Sequence, residues 1–446
     1  MITITLPIVL SLHCRARLLL RRVSFAVVAV TLGSACADRT HAGDGPYADV
    51  VAKVVPKLEK QMGMAFKTPP KLERKSKAEV AAFVMKQLTS ARAKEQIDGQ
   101  QNAYRVLGLI PDTMNLGGLL QRLLEEQIIG YYDPATKVLY VVDGSPKVLL
   151  DQTIAHELVH ALQDQYIKVD SIQSSTENAD RQGAAQAILE GQAVFEQLRL
   201  DPNVGPMLMM PGGWDRIRDV IRDGQGGMPI FASAPRAVRE GLLFPYLGGA
   251  DFVRRFIEKR SEKELLTDLP ISTTQILNDD AYFTTDRSKR AVPKRVLLAA
   301  PESGTVTYAN SFGEFETRLI LVQHLKDEAV ARRGAQGIAG DQYNVIRTPQ
   351  GNALTWATVW TSTVDAADFL NLVTDAMRRR YEMGKQALVP GATERRLDIA
   401  ATPTRGARTV TVRLEQIGGQ PVVYLVDAPT AVAASLNNIA RVTLSN

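Results

Sequence analysis

Apolar residues recur at three- and four-residue spacing through "PYADVVAKVVPKLEKQM" and "SKAEVAAFVMKQLTSARAKEQ", the spacing that lines one face of a helix. The pattern predicts a helical region over residues 46–128, with one helix running from about Leu116 to Gln127. It then changes character. "QIIGYYDPATKVLYVVDG" holds two short β-prone runs on either side of Asp133-Pro134, a turn pair, and predicts a hairpin. Ser145-Pro146 predicts a helix start, with Ser145 as cap and Pro146 in the first turn, and that helix should end near Tyr166. The polar stretch "DSIQSSTENAD" reads as a loop. An alanine-rich helix follows over roughly 179–200 and stops at Asp201-Pro202.

Residues 203–235, with "MLMMPGGW" and "DGQGGMPIF", read as an irregular lid or insertion. Met207, Leu208, Met209 and Met210 within it read as packing residues in preference to the lining of a cleft. Helix returns over about 236–264, and mixed segments continue to about 335. Then "DQYNVIR", "ALTWATVW", "DAADFLNLVTDAMRRRYEM" and "RTVTVRLEQIGGQPVVYLV" predict an antiparallel sheet with a packed helix, its hairpin turning at Gly418-Gly419. The expected fold class is α+β: a mainly helical region and core with a short hairpin over 46–335, then a C-terminal antiparallel α+β module over 336–446.

The first 37 residues differ from the rest. Arg15, Arg17, Arg21 and Arg22 precede the apolar run "VSFAVVAVTL", which ends in the small residues "GSACAD". That order reads as a secretory signal over 1–37, too short in its apolar part to span a bilayer comfortably. Ala35-Cys36-Ala37 fits a cut that releases a soluble chain, whereas "LGSAC" approximates a lipobox in which Cys36 would be lipidated and anchor the protein to a membrane. Export is the expectation either way, to the periplasm, the cell envelope or the outside. The leader also distorts the charge balance. It carries four arginines and no acids, so the net charge of +5 falls to +1 without it, and nucleic acid is not an expected partner. Both cysteines, Cys14 and Cys36, lie in the leader, so the exported body must be held by its core or by a metal.

The chemistry concentrates in "DQTIAHELVHALQDQY". On a helix, His156 and His160 stand four apart on one face and can direct two imidazoles at one ion, with Glu157 beside them to reach water on that ion. A catalytic zinc site needs a third protein ligand. A third histidine at the extended-motif position is excluded, because Tyr166 stands there. His324 is distant. Glu190 is the better choice, since its helical face includes Gly183, Gln186, Ala187, Ala193 and Val194, a small-residue surface on which a lone carboxylate would be costly. Glu196 should point elsewhere, and Glu177 lies in the loop.

Two histidines with a glutamate from a second helix resemble the gluzincin arrangement. "LGLIPDT", "EEQIIGYYDPATKVLYVV", "HELVHALQDQY", "AILEGQAVFE", "LLFPYLGGADFV", "STTQIL" and "GDQY" resemble, in the same order, a family of exported bacterial HEXXH proteins, often lipoproteins, classed as metallopeptidases. The resemblance covers most of residues 65–380 and implies a zincin-like core, Zn2+ held by His156, His160 and Glu190, and peptide or protein as substrate. Glu157 would act as general base towards the zinc-activated water, and Tyr246 in "FPYLGG" is the preferred oxyanion donor ahead of Tyr282 and His324. The chain also departs from the pattern. Val194 occupies the place, four residues after the glutamate ligand, where gluzincins often carry an acid, so Asp164, Gln163 or a backbone carbonyl must orient the histidines; Asn278 stands where a histidine often follows "STTQIL". The strand "KVLYVV" is expected to offer an edge to an extended peptide. Besides a peptidase, two readings remain open: a non-catalytic envelope protein with a structural zinc, and a zinc hydrolase acting on a non-peptide amide.

Overall fold

The computed structural model describes residues 46–169, 178–384 and 391–445. The expected leader over 1–37, with Cys36, and most of the polar loop, with Glu177, lie outside the described residues. Among the described residues no helix is long and apolar enough to cross a membrane.

The fold is α+β, as the alternation of patterns predicts. Helices Ala48–Met62, Lys77–Leu88, Ala91–Val106 and Leu116–Gln127 make up the N-terminal region. One element there escaped the pattern. Lys71–Lys75 (β1) is a strand, although "KLERK" carries four charges and one apolar residue. It pairs in parallel with Val138–Val142 (β3), whose own antiparallel partner is Gly130–Asp133 (β2). Leu72, the one apolar residue of β1, is buried with Leu139 and Val141, so tertiary pairing overrides a weak local preference.

The motif helix spans Lys147–Tyr166. It starts without the expected cap: Pro146 occupies the N-cap position, and no side chain caps the helix. Gly144, at φ 78°, turns the chain sharply out of β3, and the Ser145 amide donates to the Val142 carbonyl in that turn, ahead of the helix. The second site helix spans Ala179–Leu200 and the long helix that crosses it spans Arg236–Lys259. The segment between them is not irregular. Short helices Gly205–Leu208, Gly213–Gln225 and Pro229–Ser233 fill it, and Trp214, Ile217 and Ile221 anchor it to the core. Leu208 is buried there, whereas Met209 and Met210 are exposed and pack on little.

The C-terminal sheet has six strands: Thr305–Asn310 (β5), Ile338–Thr348 (β6), Gly351–Trp360 (β7), Glu394–Ile399 (β8), Arg408–Ile417 (β9) and Gln420–Pro429 (β10), in the order β5-β6-β7-β10-β9-β8. A small two-stranded ladder joins Arg295–Leu298 (β4) to Val442–Ser445 (β11). The hairpin between β9 and β10 turns at Gly418 and Gly419, both at positive φ. The sheet takes its outer strand from residues well upstream of 336, because β5 and helix Gly313–Leu325 belong with it. Along β7 and β10 the two faces separate by period two. Leu354, Trp356, Trp360, Val423 and Leu425 join the main core, while Ala353, Ala357, Val359, Val422 and Tyr424 pack in a second cluster with Leu436.

This sheet seats the second site helix. Asn310, at the end of β5, accepts the Ala179 amide at 2.7 Å, and Ser311 accepts that of Asp180. Asp180 in turn accepts the Thr273 amide at 2.8 Å and the Thr273 hydroxyl. Asp341 on β6 accepts from the Phe312 and Gly313 amides and from the Trp356 indole, tying the start of Gly313–Leu325 to the same corner.

Candidate metal centre

The motif helix is buried along its whole middle, from Thr153 to Gln163. Ile154, Leu158, Val159 and Leu162 face the core under the hairpin, and His156, Glu157 and His160 occupy the opposing stripe. Helix Ala179–Leu200 lies against that stripe and delivers Glu190. Glu190 Oε2 stands 3.3 Å from His156 Nε2 and 3.5 Å from His160 Nε2. One ligand atom from each of the three residues lies within 4.8 Å of the other two, so this buried group can hold a metal ion.

The second site helix is locked to the long helix by glycine. A Cβ on Gly249 would meet the Ala187 carbonyl oxygen at 1.8 Å, and one on Gly191 would meet the Gly249 carbonyl carbon at 2.1 Å. Glu190 precedes one of these glycines. Tyr246 lies one turn before the other, and its ring stacks over His156 with centroids 6.2 Å apart.

Electrostatics inside the site follow from burial. Burial lowers His156, outweighing the hydrogen bond to Glu190. His160 goes the other way: burial pulls it down, but the bond and charge of Glu190, with the charge of Glu157, leave it raised. Burial pushes Glu190 up, and the two histidines outweigh that and hold it low. Glu157 has no such partner. Burial pushes it up to about 8, against a pull from His160 and with a further push from Glu190; the Tyr132 backbone amide favours the ionised form without reaching hydrogen-bond geometry. Both Glu157 oxygens, Glu190 Oε1 and His160 Nε2 are buried and lack hydrogen-bond partners among the described residues. Unmet acceptors of this kind are what a cation would satisfy.

Two amides orient the imidazoles. His156 Nδ1 is 3.2 Å from Gln197 Oε1, and His160 Nδ1 is 2.9 Å from Gln163 Oε1. Gln163 was among the orienting candidates. Gln197 was missed, though it lies seven residues after Glu190 and so two turns along the same helix face. Asp164 does not orient a histidine: it accepts from the Tyr132 hydroxyl at 2.8 Å and pairs with Lys137 at 2.6 Å, pinning the hairpin to the helix. Glu196 points away, as expected, into a cluster with Arg199 and Glu262.

The other oxyanion candidates lie elsewhere. Tyr282 donates to the Asp268 carbonyl and sits among Phe252, Phe256 and Phe283. His324 Nε2 bonds the Leu107 carbonyl at 2.7 Å, where burial pulls its pKa down to about 4. Asn278 donates to Glu314 and to the Thr274 carbonyl as part of a helix end. The strand expected to present a free edge does not. β3 is the middle strand, paired by β1 and β2, because β1 was not foreseen; the outer strand beside Glu157 is β2. Tyr131, Tyr132 and Tyr140 on the hairpin are buried core residues.

Residues 302–438 match a family model described as a domain of unknown function, DUF8575. That stretch covers all six strands of the C-terminal sheet with their helices and leaves out both helices of the candidate metal centre. No curated protein and no solved structure matches the chain.

Proposed function

We propose that this protein is a zinc metallopeptidase, exported and released or held at the cell envelope, that hydrolyses peptide bonds in protein substrates. The observation that carries the reading is the convergence of His156, His160 and Glu190 beside a Glu157 carboxylate whose oxygens have no hydrogen-bond partner among the described residues. Two imidazole nitrogens and one carboxylate oxygen fit the ligand set of a catalytic zinc, which keeps one position open. Zinc bound there would supply a Lewis acid that polarises a carbonyl and acidifies water.

The chain does the rest. Glu157, its proton affinity raised by burial, is suited to take a proton from water and pass it to a leaving amine. Tyr246, stacked over His156, is the nearest of the three oxyanion candidates to the ligands.

A second reading is favoured by one observation: His156, Glu157 and Glu190 are 0% exposed, which suits a structural zinc that ties two helices together. The two readings part at Glu157. Cleavage of an unfolded protein by the purified, zinc-loaded chain, abolished by Glu157→Gln with zinc retained, supports the peptidase. Zinc retention with no cleavage across a broad panel of substrates supports the structural centre.

A further inference from the structure

Gln163 does more than touch His160. Its amide nitrogen donates to the Leu189 carbonyl at 3.0 Å and to Gln192 Oε1 at 3.0 Å. A backbone carbonyl only accepts, so the end of Gln163 that faces it must be the NH2. The other end, the carbonyl oxygen, therefore faces His160 Nδ1 at 2.9 Å. An oxygen acceptor there requires Nδ1 to carry the proton, which leaves Nε2 bare and aimed at Glu190 Oε2. Leu189 immediately precedes Glu190, so the same backbone that presents the carboxylate also settles which imidazole nitrogen is free to bind.

The anchor extends further. Gln192 donates through Nε2 to Glu262 Oε1 at 3.0 Å, and Glu262 and Glu196 are both held by Arg199, at 3.1 and 2.6 Å. Gln163 and Gln192 are fully buried and Glu262 nearly so, so none of these amides can turn without stranding a partner away from water. Gln197 on His156 is different, since its contact to Nδ1 is longer, at 3.2 Å.

We infer that Gln163 is a positioning residue that fixes the Nδ1–H tautomer of His160, with Leu189, Gln192 and Glu262 holding its amide in register. The inference rests on the reading of His156, His160 and Glu190 as a metal centre. It separates the two glutamines by what a carboxylate would do in their places. Glutamate at 197 still accepts from His156 and strengthens that imidazole as a ligand. Glutamate at 163 sets a carboxylate against two acceptor oxygens and forfeits the anchor.

The test is zinc affinity by chelator competition on the full chain, with the circular dichroism of each metal-free variant as the folding control. Gln163→Met and Gln163→Glu should each weaken zinc binding about 10- to 100-fold, and Gln197→Glu should bind as tightly as wild type or more so. Gln192→Met leaves both histidine contacts in place and should weaken binding several-fold, which keeps the test alive if a Gln163 variant fails to fold. Wild-type affinity in Gln163→Met or Gln192→Met, or tightening in Gln163→Glu, overturns the inference while leaving the metal centre intact. A wild-type chain that binds no zinc overturns the metal reading and the inference with it.

Discussion

Gly191 lies so close to Gly249 that a Cβ added to it would stand 2.1 Å from the Gly249 carbonyl carbon. Two helices can approach this closely only where neither carries a side chain, and the approach brings both Glu190 and Tyr246 to His156. The contact is backbone against backbone, so a neighbour cannot rotate away. We expect Gly249→Ala to destabilise the fold by about 3 kcal/mol and to cost metal affinity as the helices part. Denaturant unfolding of the metal-free chain checks the first, and a loss under about 1 kcal/mol would show that the crossing relaxes easily.

Tyr246 stacks over His156 and is not one of the three residues that could hold the metal. Tyr246→Phe keeps the ring over His156 and removes only the hydroxyl. If that hydroxyl stabilises the oxyanion, kcat should fall about 100-fold with zinc content unchanged. Equal kcat in the two proteins would return Tyr246 to a packing role.

Asp180 and Glu316 are expected to give stability a pH dependence, away from the candidate metal centre. Burial is the main cause that pushes both carboxyls up to about 7; nearby Asp341 adds to each, and hydrogen bonds from Thr273 and Tyr104 offset part of it. A carboxyl raised on folding favours the protonated native state, so its contribution is complete below the unfolded value near 4 and is lost as pH climbs through about 7. The metal-free protein should therefore melt higher at pH 5 than at pH 8. Asp180→Asn can still accept from Thr273 and should flatten that slope; an unchanged slope would mean that Asp180 is ionised throughout.

Much of this was legible in the chain because periodicity and turn chemistry agreed. The hairpin at Asp133, the helix Leu116–Gln127 and the β9–β10 turn at paired glycines all follow local rules. The group that could hold a metal was legible too, since His156 and His160 share a helix and Glu190 is an acid in an alanine-rich face. What escaped depended on distant partners. "KLERK" is a strand only because β3 lies beside it, and that one strand converts β3 from edge to centre. Gln197 is one glutamine among many until helix packing sets it against His156. Asp164 looked like an orienting acid from its place after the motif, but its side chain is taken by Tyr132 and Lys137 of the hairpin.

The most direct measurement is the zinc content of the purified chain lacking residues 1–37, beside Glu190→Ala and Glu157→Gln. About one zinc per wild-type chain is expected, the same in Glu157→Gln, and little or none in Glu190→Ala. Zinc retained in full by Glu190→Ala, or absent from wild type, would contradict the proposed centre.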